Sequence, residues 1–88
     1  MSMETFQVIK HPLTTEKNVR IMQDENKLVF IVDRKSRKTD IKKAAEEIFK
    51  IKIIKVNTTI LPSGEKKAYV TLSAETPAID VATQLGLL

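Results

Sequence analysis

Cysteine is absent from the 88 residues, so neither disulfides nor thiolate metal sites can brace the fold. That fits a reducing compartment. Glycine occurs only at Gly64 and Gly86, too sparse for a phosphate-cradling loop or a nucleophile elbow. The one histidine, His11, has no cysteine, histidine or acid at ligand spacing and reads as structural or surface-facing. Glu46 and Glu47 are sequence neighbours on an expected helix, so their carboxylates splay apart and make a poor acid–base pair. Long apolar runs are missing too: the longest covers residues 28–32, against the roughly 20 residues a membrane helix needs. No signal-peptide pattern opens the chain. The expectation is a soluble intracellular protein, not an enzyme, with no metal, cofactor or membrane partner. Its length makes 1–88 a single domain that buries roughly 60–65% of the surface its unfolded chain exposes.

Positive charge is what the chain has in excess, and it is unevenly placed. The formal net charge is +4. Residues 34–67 hold eleven of the fifteen Lys and Arg against four acids, a balance of +7. The remainder holds four bases and seven acids, or −3, and the two parts sum to +4. A cluster of this kind marks a footprint for an anionic partner, although the same charges also make a solvated surface.

The most informative stretch is residues 56–72, VNTTILPSGEKKAYVTL, which reads as a β-hairpin. Period-2 alternation places Val56 and Ile60 on one face of its first strand and Asn57 and Thr59 on the other. In the second strand Ala68, Val70 and Leu72 alternate with Lys67, Tyr69 and Thr71. Between them Leu61, Pro62, Ser63 and Gly64 form the turn, with proline presetting φ and glycine accepting the positive φ of a tight reversal. One hairpin face is therefore aliphatic, and the other offers an amide, hydroxyls, a phenol and amines.

In chain order, Phe6, Val8 and Ile9 suggest a short edge strand ended by Pro12. Thr14 or Thr15 then caps a helix to about Gln23, with Val19, Met22 and Ile21 as its anchors. The segment 27–33, KLVFIVD, is a strand apolar on both faces, hence central and covered on both sides. The run 34–38, RKSRK, leads into an amphipathic helix from Thr39 or Asp40 to about Lys50. Its stripe is Ile41, Ala44, Ala45, Ile48 and Phe49. On its outer face Lys42, Lys43 and Lys50 stand at i,i+4 spacing from Glu46 and Glu47, whereas Lys35, Arg37 and Lys38 have no such partners. After the hairpin, Thr76 caps a last helix with Pro77 at its first position and Ala78, Val81, Ala82 and Leu85 inward. Gly86 stops it. The fold class is α+β, in the order β-(α)-β-α-β-β-α. A strand–helix–strand crossover followed by a hairpin places the final strand between the crossover strands, in a mostly antiparallel four-stranded sheet.

Three stretches carry a family resemblance: IKHPLTTEK, RKSRKTDIKKAAEEIFKIKIIKVNT and GEKKAYVTL. In this order they resemble the large-subunit ribosomal protein family numbered twenty-three, over nearly the whole chain. The resemblance implies a four-stranded antiparallel sheet with helices on both faces. It also implies a cytoplasmic protein of the ribosome that binds large-subunit ribosomal RNA near the mouth of the polypeptide exit tunnel. Neighbouring ribosomal proteins and nascent-chain factors such as the signal recognition particle are the implied protein partners, and no homo-oligomer is expected. Carried over by motif, Lys38, Asn57, Thr58, Lys66 and Lys67 are RNA-contacting positions, and Arg34, Lys35, Arg37 and Lys55 complete the expected RNA-binding set. Glu16 of TEK matches the family's exposed factor-docking acid. Bacterial members carry a long basic insertion at the hairpin tip, where this chain has a short turn, so the likeness is to an archaeal-type member.

Two alternatives place function elsewhere. Tyr69 and Phe30 invite comparison with an RNA-recognition-motif-like module that binds single strands on its sheet, but the glycines and other aromatics of that motif are missing. A metabolite-sensing regulatory domain of related topology would need a glycine-containing ligand loop.

Overall fold

The computed structural model describes residues 5–86, with the side chains of Thr5 and Phe6 outside the described part. Four strands form one antiparallel sheet in the order β1-β2-β4-β3: β1 Ile9–Pro12, β2 Lys27–Val32, β3 Ile53–Ile60 and β4 Lys66–Leu72. The final strand lies between the two crossover strands, as the element order requires. Helices α2 Glu16–Glu25 and α3 Lys38–Phe49 precede β2 and β3, and α4 Ala78–Gln84 follows β4.

Strand β2 is central and buried on both faces. Leu28, Phe30 and Val32 join one large cluster with Val56, Ala68, Val70 and Leu72 of the neighbouring strands. Met22 of α2, Ile41, Ala44 and Ala45 of α3, and Ala78, Val81 and Ala82 of α4 complete that cluster. Val29 and Ile31 point to the opposite face and are 3% and 2% exposed. Phe49 stacks on Phe30 with ring centroids 5.2 Å apart, fixing the end of α3 against the sheet.

The start of the chain differs from the strand expected there. Thr5–Val8 is a single helical turn, α1, and the strand begins only at Ile9. Val8 still reaches the core, 1% exposed. Thr15 caps α2, its hydroxyl accepting from the Asn18 amide at 3.3 Å. The helix runs past Gln23 to Glu25 because Asn26 takes a left-handed conformation, φ 55° and ψ 43°, and serves as its C-cap. Helix α3 starts one residue before Thr39, where the Arg37 amide donates to Asp40 Oδ2 at 2.9 Å.

Helix α4 is capped from a distance. Thr76 does not supply the cap: the Ala78 amide donates to Asn26 Oδ1 at 2.6 Å, and Pro77 occupies the N-cap position. Asn26 Nδ2 lies 3.3, 3.1 and 3.2 Å from the carbonyl oxygens of Leu72, Ser73 and Thr76. One side chain thus joins the end of α2, the end of β4 and the start of α4. Leu85, expected inward, is 39% exposed.

Candidate nucleic-acid interface

The hairpin turn closes as its residues dictate. The Leu61 amide donates to the Glu65 carbonyl and the Gly64 amide to the Leu61 carbonyl, both at 2.8 Å. Gly64 has φ +92°, a conformation that favours glycine. The guanidinium of Arg34 lies beside it, 3.8 Å from where a β-carbon on Gly64 would sit. The basic run and the hairpin tip are therefore neighbours, although about thirty residues separate them in sequence.

Segment 33–37 is built around Asp33 and a buried serine. The Asp33 carbonyl accepts from the Ser36 amide and hydroxyl, and its carboxylate accepts from the Lys35 amide at 2.8 Å. Ser36 is 1% exposed, whereas Arg34, Lys35, Arg37 and Lys38 point outward. Lys66 ties the loop to the hairpin by donating from Nζ to the Ser36 carbonyl at 2.5 Å. Among the described residues the ion pairs are Glu16 with Arg20 and Glu25 with Lys27. None of the cations expected to meet RNA has an acidic partner there. On α3 the Glu46 carboxylate accepts from the Ile53 amide at 3.3 Å, and neither Lys42 nor Lys50 pairs with it.

Sheet register separates residues that adjoin in sequence. Lys66 lies opposite Val32 and Ile60, whereas Lys67 lies opposite Ile31 and Thr59. The two lysines therefore leave β4 on opposite faces. Asn57 pairs with Tyr69 and shares the Lys67 face. Thr58 pairs with Ala68 on the core side and is half-buried. A register shift between Ile53 and Lys55 lets both Ile53 and Val56 face inward at a spacing of three, so simple alternation fails at that end of β3. Ile60, assigned to the face of Val56, is 54% exposed beyond the reach of the helices.

The geometry thus gathers Arg34, Lys35, Arg37, Lys38 and Lys66 around one end of the sheet. Lys55, Asn57 and Lys67 lie on the face opposite the core, and Thr58 stands apart from them. Lys67 Nζ sits 5.0 Å from the centroid of the Tyr69 ring. Glu16 lies on α2, in none of these groups, and is largely exposed beside Arg20 at 3.9 Å. Pattern reading did not foresee that Ser36 would organise the basic loop. A serine between cations carries no apolar signal, and its burial follows from the Asp33 turn.

A four-stranded antiparallel sheet with cations gathered at one end, unpaired among the described residues, is the build of a small basic scaffold protein. Residues 7–80 match the family described as Ribosomal protein L23. The chain is 47% identical over 85 residues to the large ribosomal subunit protein uL23 of Methanococcus maripaludis, covering 97% of this chain and 99% of that protein. It is 46% identical to the protein of that name from Methanococcus aeolicus, with the same coverage. A relative from Trypanosoma brucei brucei is 46% identical over 97% of this chain, which spans 52%, about half, of that protein's length. The chain belongs to the ribosomal protein L23 family, in its archaeal type. It is accordingly a structural constituent of the large subunit of the cytoplasmic ribosome and not an enzyme.

Proposed function

We propose that the chain acts as one domain, 1–88, that binds large-subunit ribosomal RNA near the exit of the polypeptide tunnel. Segment 34–38 and the adjoining hairpin face the RNA. The observation that carries this reading is the set of cations without acidic partners among the described residues, Arg34, Lys35, Arg37 and Lys38, held around the buried Ser36 turn. Cations so placed neutralise phosphates and release counterions. Asn57 and Lys55 extend the contact along the sheet face. Thr58 and Lys66 contribute at its margin, Lys66 chiefly by holding the loop. Neighbouring ribosomal proteins pack beside it, the chain is monomeric, and Glu16 on α2 docks nascent-chain factors such as the signal recognition particle.

The full chain binding a large-subunit ribosomal RNA transcript over a range of salt concentrations tests the RNA reading. Replacing Lys35, Arg37 and Lys38 together by Ala removes three phosphate contacts, so the log–log salt slope falls by roughly 2–2.7. An unchanged slope removes the loop from the interface. For docking, Glu16→Ala weakens signal-recognition-particle binding to reconstituted large subunits while leaving assembly intact, and equal affinity would defeat that assignment. The buried position of Phe30, 1% exposed and stacked on Phe49, leaves no pair of exposed sheet aromatics for the recognition-motif alternative.

A further inference from the structure

We infer that Tyr69 is a stacking platform for one unpaired nucleobase of the bound RNA, with Asn57 beside it to meet the base edge. This rests on the RNA-binding reading and adds a kind of contact that phosphate neutralisation does not supply. Tyr69 lies on β4, between two neighbouring strands, on the face opposite the main core. Val29 is directly across from it on β2 and Asn57 directly across on β3. Directly opposed side chains on a sheet stand about 4.5–5.5 Å apart at Cβ, so the three form one continuous row. Val29, 3% exposed, closes the row on its β2 side, while Tyr69 and Asn57 remain half-buried and reachable.

Lys67 Nζ lies over the Tyr69 ring at 5.0 Å, a cation–π contact that fixes its tilt. Among the described residues no second cation or aromatic ring meets it. The Asn57 amide has no hydrogen-bond partner among the described residues either, so its donor and acceptor are free for a base edge. Charge complementarity selects the occupant. Lys67 and Lys55 flank the row without acidic partners among the described residues, which suits a phosphate-linked base better than a neutral apolar ligand. Unpaired bases stack on aromatic side chains, and their edges are read by polar groups nearby.

Filter binding of the full chain to a large-subunit ribosomal RNA transcript, at several salt concentrations, tests the assignment. A stacked base contributes about 1–3 kcal/mol, so Tyr69→Leu weakens binding roughly 5- to 150-fold. The salt slope stays the same, because no charge is lost. Tyr69→Thr, with a residue well suited to strands, is a second truncation with the same expected loss should the leucine variant melt early. Tyr69→Phe keeps the ring and binds as the native chain does. Wild-type affinity in a folded truncation overturns the platform while leaving the RNA reading intact, as does a loss in Tyr69→Phe equal to that of the truncation. Failure of the native chain to bind the transcript at low salt overturns both.

Discussion

Replacing Asn26 is the most direct test of what holds the helices in register with the sheet. Its amide has two protons facing three carbonyls, those of Leu72, Ser73 and Thr76, and its Oδ1 accepts from the Ala78 amide at 2.6 Å. Three net hydrogen bonds at about 0.5–1.5 kcal/mol each give about 1.5–4.5 kcal/mol for removing the side chain. The backbone adds a second contribution: φ is 55°, where any residue with a β-carbon, the native asparagine included, bears a cost of about 1–2 kcal/mol that glycine does not. Asn26→Ala keeps that strain and loses the bonds, about 1.5–4.5 kcal/mol, whereas Asn26→Gly loses the same bonds but regains about 1–2 kcal/mol of backbone strain. A domain of 88 residues is stable by about 4–13 kcal/mol, so the alanine variant gives up a large share of its stability. Urea unfolding, followed by circular dichroism with a common slope, ranks the native chain above Gly and Gly above Ala. An alanine variant within 0.5 kcal/mol of the native chain, on the order of one weak hydrogen bond, would refute the capping argument. An alanine variant more stable than the glycine one would refute the backbone argument.

Other substitutions separate roles that the geometry has distinguished. Lys66→Ala removes a charge-assisted bond to the Ser36 carbonyl and lowers unfolding free energy by about 1.5–3 kcal/mol, with faster hydrogen exchange in segment 33–37. Lys67→Ala leaves stability nearly unchanged but reduces the RNA-binding salt slope by roughly 0.7–0.9. Gly64→Ala meets only an ordinary 3.8 Å contact with Arg34, so its cost comes from φ +92° and amounts to about 1–2 kcal/mol by thermal melting. Glu16→Ala changes stability by less than about 1 kcal/mol, since the carboxylate is largely exposed and its contact with Arg20 is long.

Periodicity made the central features legible. The two-sided apolar pattern of residues 27–33 identified the covered strand, and the stripe from Ile41 to Phe49 identified the helix laid on it. The Pro62 and Gly64 pair identified the turn. Neighbouring strands then had only one sensible order. What stayed hidden depends on contacts between distant parts of the chain. Asn26 closes a polar Asp-Glu-Asn run and reads as a simple break. Its bonds reach residues 46 to 52 positions away, which no local pattern reveals. The register shift in β3 has the same character, since one extra residue moves Ile53 inward and upsets the alternation read from Val56. Cations were easy to find and hard to assign. Lys66 and Lys67 are adjacent in sequence, yet one holds a loop and the other lies over a ring.

The reversal between β3 and β4 is fastened at its base by the Leu61 and Glu65 pair before the chain turns, so the ladder beneath it is set independently of what the tip contains. Closing a longer excursion there costs little, about 0.6 kcal/mol for each doubling of length. That makes this corner a natural mounting point: a probe, tag or grafted arm spliced between Pro62 and Gly64 would extend outward while the body keeps its shape.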